Sequence, residues 1–240
     1  MPIHDWTRVH RSLFHSFYLD WVSRLSGELN ACVLPSSCYS LTETLRDNRA
    51  LFLELPEGED DFKDPGRPGK GYAFSDSAPR TWLQAPCVRP EYADRIITIR
   101  RCDCHAVVAA IRIVTPDDKH RFHRFGSFAA WAVEVIRSGV ALLMVDLFPT
   151  EPGSKLDITE ALWDEFVQEE LDLPSNKPLT LIAFSSGAEN TVYLEPVSVG
   201  DVLPTMPLFL KPDLYVPVPL ETSYQTSWNA IPEALKDEFR

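Results

Sequence analysis

The residues best placed to do chemistry lie in one stretch, "AAIRIVTPDDKHR" at 109–121, where an acid pair and a lysine, Asp117, Asp118 and Lys119, follow an apolar run. Paired carboxylates suit a hard divalent cation, which takes oxygen ligands and turns a bound water into a nucleophile. Arg112, inside the apolar run, is the discordant group, because a guanidinium repels a metal ion and offers it no lone pair. Alternation puts Arg112 on one face with Val108 and Ala110, opposite Ile111 and Ile113. Its expected partner is Asp146, at the end of the next apolar run, with Glu43 second. The candidate site is therefore Glu43, Arg112, Asp117, Asp118, Lys119 and Asp146. Each has a plainer reading as well: a matched strand arginine, an acid pair that starts a helix after "TP", and a solvated lysine.

Other chemistries have thinner support. Cys102, Cys104, His105, His120 and His123 are zinc-ligand types, but their spacing fits no compact zinc site. No G-x-S-x-G elbow occurs, and "SSGA" at Ser185–Ala188 reads as a hairpin turn. "GRPGKG" at Gly66–Gly71 follows no strand and opens no helix, so it is not a phosphate loop. His4 and Asp5 beside Trp6 read as a segment tied down by hydrogen bonds and an indole contact.

Several elements must position these groups. Leu13 to Leu29 has apolar residues at helical spacing with Ser12 as its cap. "CYSLTETL" and "ALFLEL" read as strands. A proline- and glycine-rich insert follows, and its tip, Glu57 to Gly71, is expected to be flexible. "RIITIRRC" and "HAVVAAIRIVTP" form a strand pair around a turn at Cys102–His105. Next comes a helix with Phe122, Phe125, Phe128, Ala129, Ala132, Val133 and Ile136 on one stripe, ending at Gly139. The fully apolar "VALLMVDLF" then completes a βαβ unit, whose second strand must be covered on both faces.

Downstream, "DITEALWDEFVQEE" is a helix capped by Asp157, with Ile158, Leu162 and Phe166 on its apolar stripe. "PLTLIAFSS" and "TVYLEPVSV" form a hairpin across "GAEN". The prolines of "LPTMPLFLKPDLYVPVPLE" predict an extended arm wrapping the surface rather than a helix or a central strand. A final helix breaks near Pro232.

Composition bounds the function. The chain has 240 residues and a formal charge of -12, an overall field that repels polyanions. Residues 95–124 run the other way: Arg95, Arg100, Arg101, Arg112, Lys119, Arg121 and Arg124 stand against Asp103, Asp117 and Asp118. Nucleic-acid binding is thus disfavoured overall, with this segment as the one route to it. Five cysteines without a disulfide framework point to a reducing compartment. The absence of a signal sequence or a long apolar run points to a soluble, cytoplasmic protein with no membrane partner. One domain over 1–240 is the expectation, with a core at about 13–150 and a helix, hairpin and arm after it.

"MPIHDWTRV", "FHSFYLDW", "IRIVTPDDK", "GVALLMVDLFP" and "YVPVPLETSYQTSW" together resemble a bacterial family described as domain of unknown function forty-fifty-eight. That resemblance covers nearly the whole chain. The family's central block is in turn similar to the PD-(D/E)XK nuclease-like fold, as in Uma-type restriction-endonuclease-like proteins. The resemblance implies an α/β (α+β) fold with a mixed sheet between helices. It also implies a metal held by carboxylates on the second and third strands. Where the family's third strand reads like "IEIVSPGNK", this chain has "IRIVTPDDK", so Arg112 takes the place of the glutamate. On the second strand, Arg49 or Ala50 falls near the expected aspartate. The expectation is a nuclease-like fold without its metal carboxylates and without a cofactor, serving as a binding or interaction module. The alternatives are a residual hydrolase using Asp117, Asp118 and Glu43, and a structural subunit of a homo-oligomer.

Overall fold

The computed structural model describes residues 3–46, 49–50, 94–120, 122–150, 157–167, 169–185, 187, 191–236 and 239. Helix α1 spans Arg11–Glu28 and runs into a short π-helical turn at Leu29–Val33. Strands β1 (Cys38–Arg46) and β2 (Arg49–Ala50) follow, then β3 (Asp94–Arg101) and β4 (Val107–Ile113). Next come α2 (Pro116–His120), α3 (Phe122–Arg137), β5 (Ala141–Asp146) and α4 (Ile158–Phe166). The chain continues with β6 (Leu179–Phe184), β7 (Val192–Val197), β8 (Met206–Lys211), β9 (Leu214–Val218), α5 (Leu220–Ala230) and α6 (Glu233–Lys236).

Seven strands form one sheet in the order β2-β1-β3-β4-β5-β6-β7, and β8 and β9 form a second, two-stranded sheet. Among the described strands only β4 and β5 are parallel, with Ala109 opposite Ala141 and Ile113 opposite Val145; the other neighbours are antiparallel. A parallel pair needs a crossover, and α2 and α3 supply it. Every residue of β5 is buried, as its unbroken apolar pattern predicts for a strand covered on both faces.

Alternation divides the sheet's side chains between two cores. Ile97, Ile99, Ile111, Ile113, Leu143 and Val145 join the aromatic stripe of α1, the β8–β9 ribbon and Tyr224 and Trp228 of α5. Ile96, Ala110, Leu142, Met144, Ile182 and Phe184 meet Phe128, Trp131 and Ala132 of α3 and Ile158 and Leu162 of α4. The result is a mixed α/β layer structure, with a mostly antiparallel sheet between helices.

Several expectations need correction. Helix α1 is capped by His10 rather than Ser12; the His10 ring accepts from the Ser12 N–H. Phe122 is 80% exposed and lies off the buried stripe of α3. The proline-rich segment is not a surface arm but part of the core. It pairs as β8–β9 with Pro207 opposite Pro217, and buries Leu208, Phe209, Leu210, Val216 and Val218. A two-stranded ribbon tolerates this, because each strand has an outward edge where a missing N–H breaks no ladder bond.

Other expectations match the structure. Gly139, at φ 82, ends α3, and Asp157 caps α4 through the Glu160 N–H. The helix predicted at the C-terminus breaks into α5 and α6 around Pro232. These elements belong to one unit made of 1–51 and 94–240. The insert tip at 57–71, "GRPGKG", and "ALFLEL" beyond Ala50 lie outside the described residues. Among the described residues no helix is long and apolar enough to cross a membrane.

Candidate functional site

Arg112 is the next-to-last residue of β4, with its neighbours Ile111 and Ile113 committed to the α1 core, so its own side chain points under α3. It is fully buried there. Its Nη2 donates to Asp118 Oδ1 at 3.0 Å and approaches Asp94 Oδ2 at 3.4 Å. The guanidinium carbon stands 4.7 Å from the Phe128 ring centre and 5.4 Å from that of Trp131. Such cation–π packing is strongest where water is excluded.

Asp118 is fixed from its other side. Its Oδ2 accepts from the Thr115 N–H at 2.9 Å and the Thr115 hydroxyl at 2.8 Å, while its own N–H donates to the Thr115 carbonyl at 3.0 Å. With Thr115 before the helix and Pro116 as its first residue, Asp118 reaches back to the Thr115 N–H, which is the acid's half of a capping box with aspartate in place of glutamate. Asp118 thus starts α2 and neutralises Arg112 at once. The helix-start reading of this acid describes what it does.

The remaining candidates are dispersed among separate partners. Lys119 donates to Asp146 Oδ2 at 2.8 Å and to the Phe148 carbonyl, and Asp146 Oδ1 accepts from the Phe148 N–H at 3.0 Å. Burial pushes the Asp146 carboxyl up, against the lowering effect of Lys119. Glu43 accepts from Arg100 Nη2 at 2.6 Å, and Arg100 Nη1 donates to the His105 carbonyl at 2.8 Å. Asp117 pairs at the surface with Arg11, at 3.2 Å. The expected pairing of Arg112 with Asp146 or Glu43 is therefore corrected. Asp146 and Glu43 lie on the same face of the sheet but are held by Lys119 and Arg100, and the nearest acids to Arg112 come from α2 and the start of β3.

Asp94 is the residue that sequence reasoning missed. It opens β3, one position before the strand was expected to begin, and alternation puts it on one face with Ile96, Thr98 and Arg100. Its carboxylate also lies 3.6 Å from Arg124 Nη1. Desolvation and the neighbouring Asp118 outweigh the Arg112 and Arg124 guanidiniums and raise its pKa to about 6.

The basic excess of segment 95–124 is largely matched inside the fold. Arg100, Arg112 and Lys119 are buried against Glu43, Asp118 and Asp146. Arg101 pairs with Asp103, and Arg124 with Asp94. Arg121 lies outside the described residues. Zinc-type residues do not converge either. Cys102 and Cys104 are exposed in the β3–β4 turn, His105 Nδ1 meets the Tyr39 hydroxyl at 2.8 Å, and His123 is exposed. The His120 side chain lies outside the described residues, among which no group of three or more His, Cys, Asp or Glu could hold a metal ion.

Ser185 closes the β6–β7 hairpin by accepting from the Thr191 N–H at 2.7 Å. His4 and Trp6 are tied down as a segment. The backbone N–H and Nδ1 of His4 meet the Tyr224 hydroxyl at 3.1 and 2.9 Å, Trp6 Nε1 donates to it at 3.1 Å, and the His4 ring stacks on Trp228. No family model matches the chain, and neither a curated protein nor a solved structure matches it.

Proposed function

We propose that this chain is a nuclease-like scaffold that has lost its metal-binding carboxylates, with an arginine standing where one of them would be, and that it works as a non-catalytic binding or interaction module. The observation that carries this reading is Arg112, fully buried on the third strand of the β1–β3–β4 meander with acids on two sides. The strand pair β3–β4, the helix α3 and the parallel strand β5 support the resemblance to the nuclease-like block.

A divalent cation bound here would have to displace a guanidinium from Asp118, and two like charges at this range in a desolvated site repel strongly. Lys119 is turned toward Asp146 and the Phe148 carbonyl, which leaves it no place beside a scissile phosphate. The residual-hydrolase alternative is weaker, since Asp117, Asp118 and Glu43 each answer to a different arginine.

Titration with magnesium or manganese, followed by thermal denaturation and by turnover of single- and double-stranded DNA and RNA, tests the proposal. The expected result is no thermal shift and no cleavage. An ion bound at 100 times its Kd would add about 2.7 kcal/mol. A shift of that size, or cleavage abolished by Asp118→Asn, refutes the reading.

One observation favours a homo-oligomer subunit as a second reading. Tyr193 of β7 and Tyr215 of β9 are 43% and 57% exposed and flank Phe209 in one ring ladder, with Leu214 exposed beside them. Sedimentation of the wild type against Tyr193→Ser/Tyr215→Ser decides it: a change in mass supports assembly through this patch, and identical monomers exclude it.

A further inference from the structure

Asp94 and Asp118 share Arg112 unequally. Asp118 receives its three bonds at 2.8, 2.9 and 3.0 Å. Asp94 lies 3.4 Å from Arg112 and 3.6 Å from Arg124, longer than an ordinary charge-assisted bond. It also sits at the rim. The Asp94 side chain is 11% exposed and that of Arg124 24%, against 0% for Arg112. A carboxylate largely withdrawn from water beside a second carboxylate resists ionisation, even with cations near it.

We propose that the Asp94–Arg124 contact is a proton-operated latch tying the first turn of α3 to the start of β3, closed when Asp94 is ionised and open when it is protonated. The groups that face Asp94 come from four elements: Asp117 and Asp118 from α2, Arg112 from β4, Arg124 from α3 and the Tyr18 hydroxyl from α1. Burial, Asp118 and Asp117 raise the Asp94 carboxyl, Arg112 and Arg124 lower it, and the balance at about 6 places the change in a physiological range.

Protonation weakens the pull on Arg124 while Arg112 keeps Asp118, so the opening is local. The linkage sign agrees. A carboxyl raised in the folded state takes up its proton there more readily than in the unfolded chain, so acidification through this range does not by itself unfold the protein.

The test is amide hydrogen exchange of Gly126 to Ala129, whose helical acceptors lie in the first turn of α3, at pH about 7.5 and about 5, corrected for intrinsic exchange rates. Wild-type protection should fall about two- to fivefold at the lower pH, the range of a partly exposed ion pair. Asp94→Asn and Arg124→Gln should both show the lower protection at either pH. The latch is overturned if wild-type protection is the same at both pH values, or if either variant keeps the wild-type drop. Arg124→Gln alters a partly exposed side chain, so it remains informative should Asp94→Asn destabilise the strand.

Discussion

Replacing Arg112 with methionine keeps a flexible stem against Phe128 and Trp131 but removes the charge that, among the described residues, joins Asp94 to Asp118. The contact with the aromatic rings partly survives, because a thioether also packs well on them. What is lost is the match between cation and anions. Among the described residues, Asp118, with a side chain 1% exposed, is left its two bonds from Thr115, and Asp94 is left the Arg124 guanidinium. Breaking a buried ion pair by removing one partner costs about 3–5 kcal/mol. At about 2–4 °C per kcal/mol for a chain of this size, the Tm should fall by about 6–20 °C.

The second variant separates charge from packing. Arg112→Met/Asp118→Asn leaves Thr115 an amide oxygen to bond and removes the stranded charge, so it should be more stable than Arg112→Met alone. The coupling in a double-mutant cycle should reach about 1–3 kcal/mol. Urea denaturation and calorimetry at neutral pH supply both numbers. An Arg112→Met Tm within 2 °C of wild type, or a double variant no better than the single one, refutes the claim that Arg112 is a structural counter-ion.

Two further outcomes follow from other parts of the fold. Burial and the nearby Lys236 charge lower the His4 pKa to about 4, so the folded chain holds this ring neutral while the unfolded chain protonates it near 6.5. Stability should therefore fall as pH drops from 6.5 toward 4, and His4→Phe, measured by calorimetry across that window, should flatten the dependence; an unchanged slope contradicts it. Asp157→Ala removes the acceptor for the Glu160 N–H at 3.0 Å and the Thr150 hydroxyl at 2.7 Å, and should cost about 1 kcal/mol; no loss in urea denaturation would show that α4 does not depend on its cap.

Periodicity and punctuation were sufficient to read most elements. The aromatic stripe of α1, the unbroken apolar run of β5, Gly139 and Asp157 each carry a local physical requirement, so each can be read without knowing the fold. That Arg112 faces away from Ile111 and Ile113 was legible on the same ground. Its partners were not. Asp118 was singled out as an acid beside a lysine, yet nothing local says whether it turns outward to an ion or back to cap a helix over a strand.

The order of residues determined which side chains share a face of each strand and, at Gly139 and Asp157, where a helix ends or begins, because those depend on bond geometry within a few positions. Only the tertiary structure decided which acid meets which base. Asp94 and Arg112 are 18 positions apart and touch because β3 and β4 run antiparallel. Arg124 joins them because the crossover lays α3 over that face. Burial then imposes the choice: a charge removed from water must find its opposite nearby, and chain topology alone sets which one is within reach.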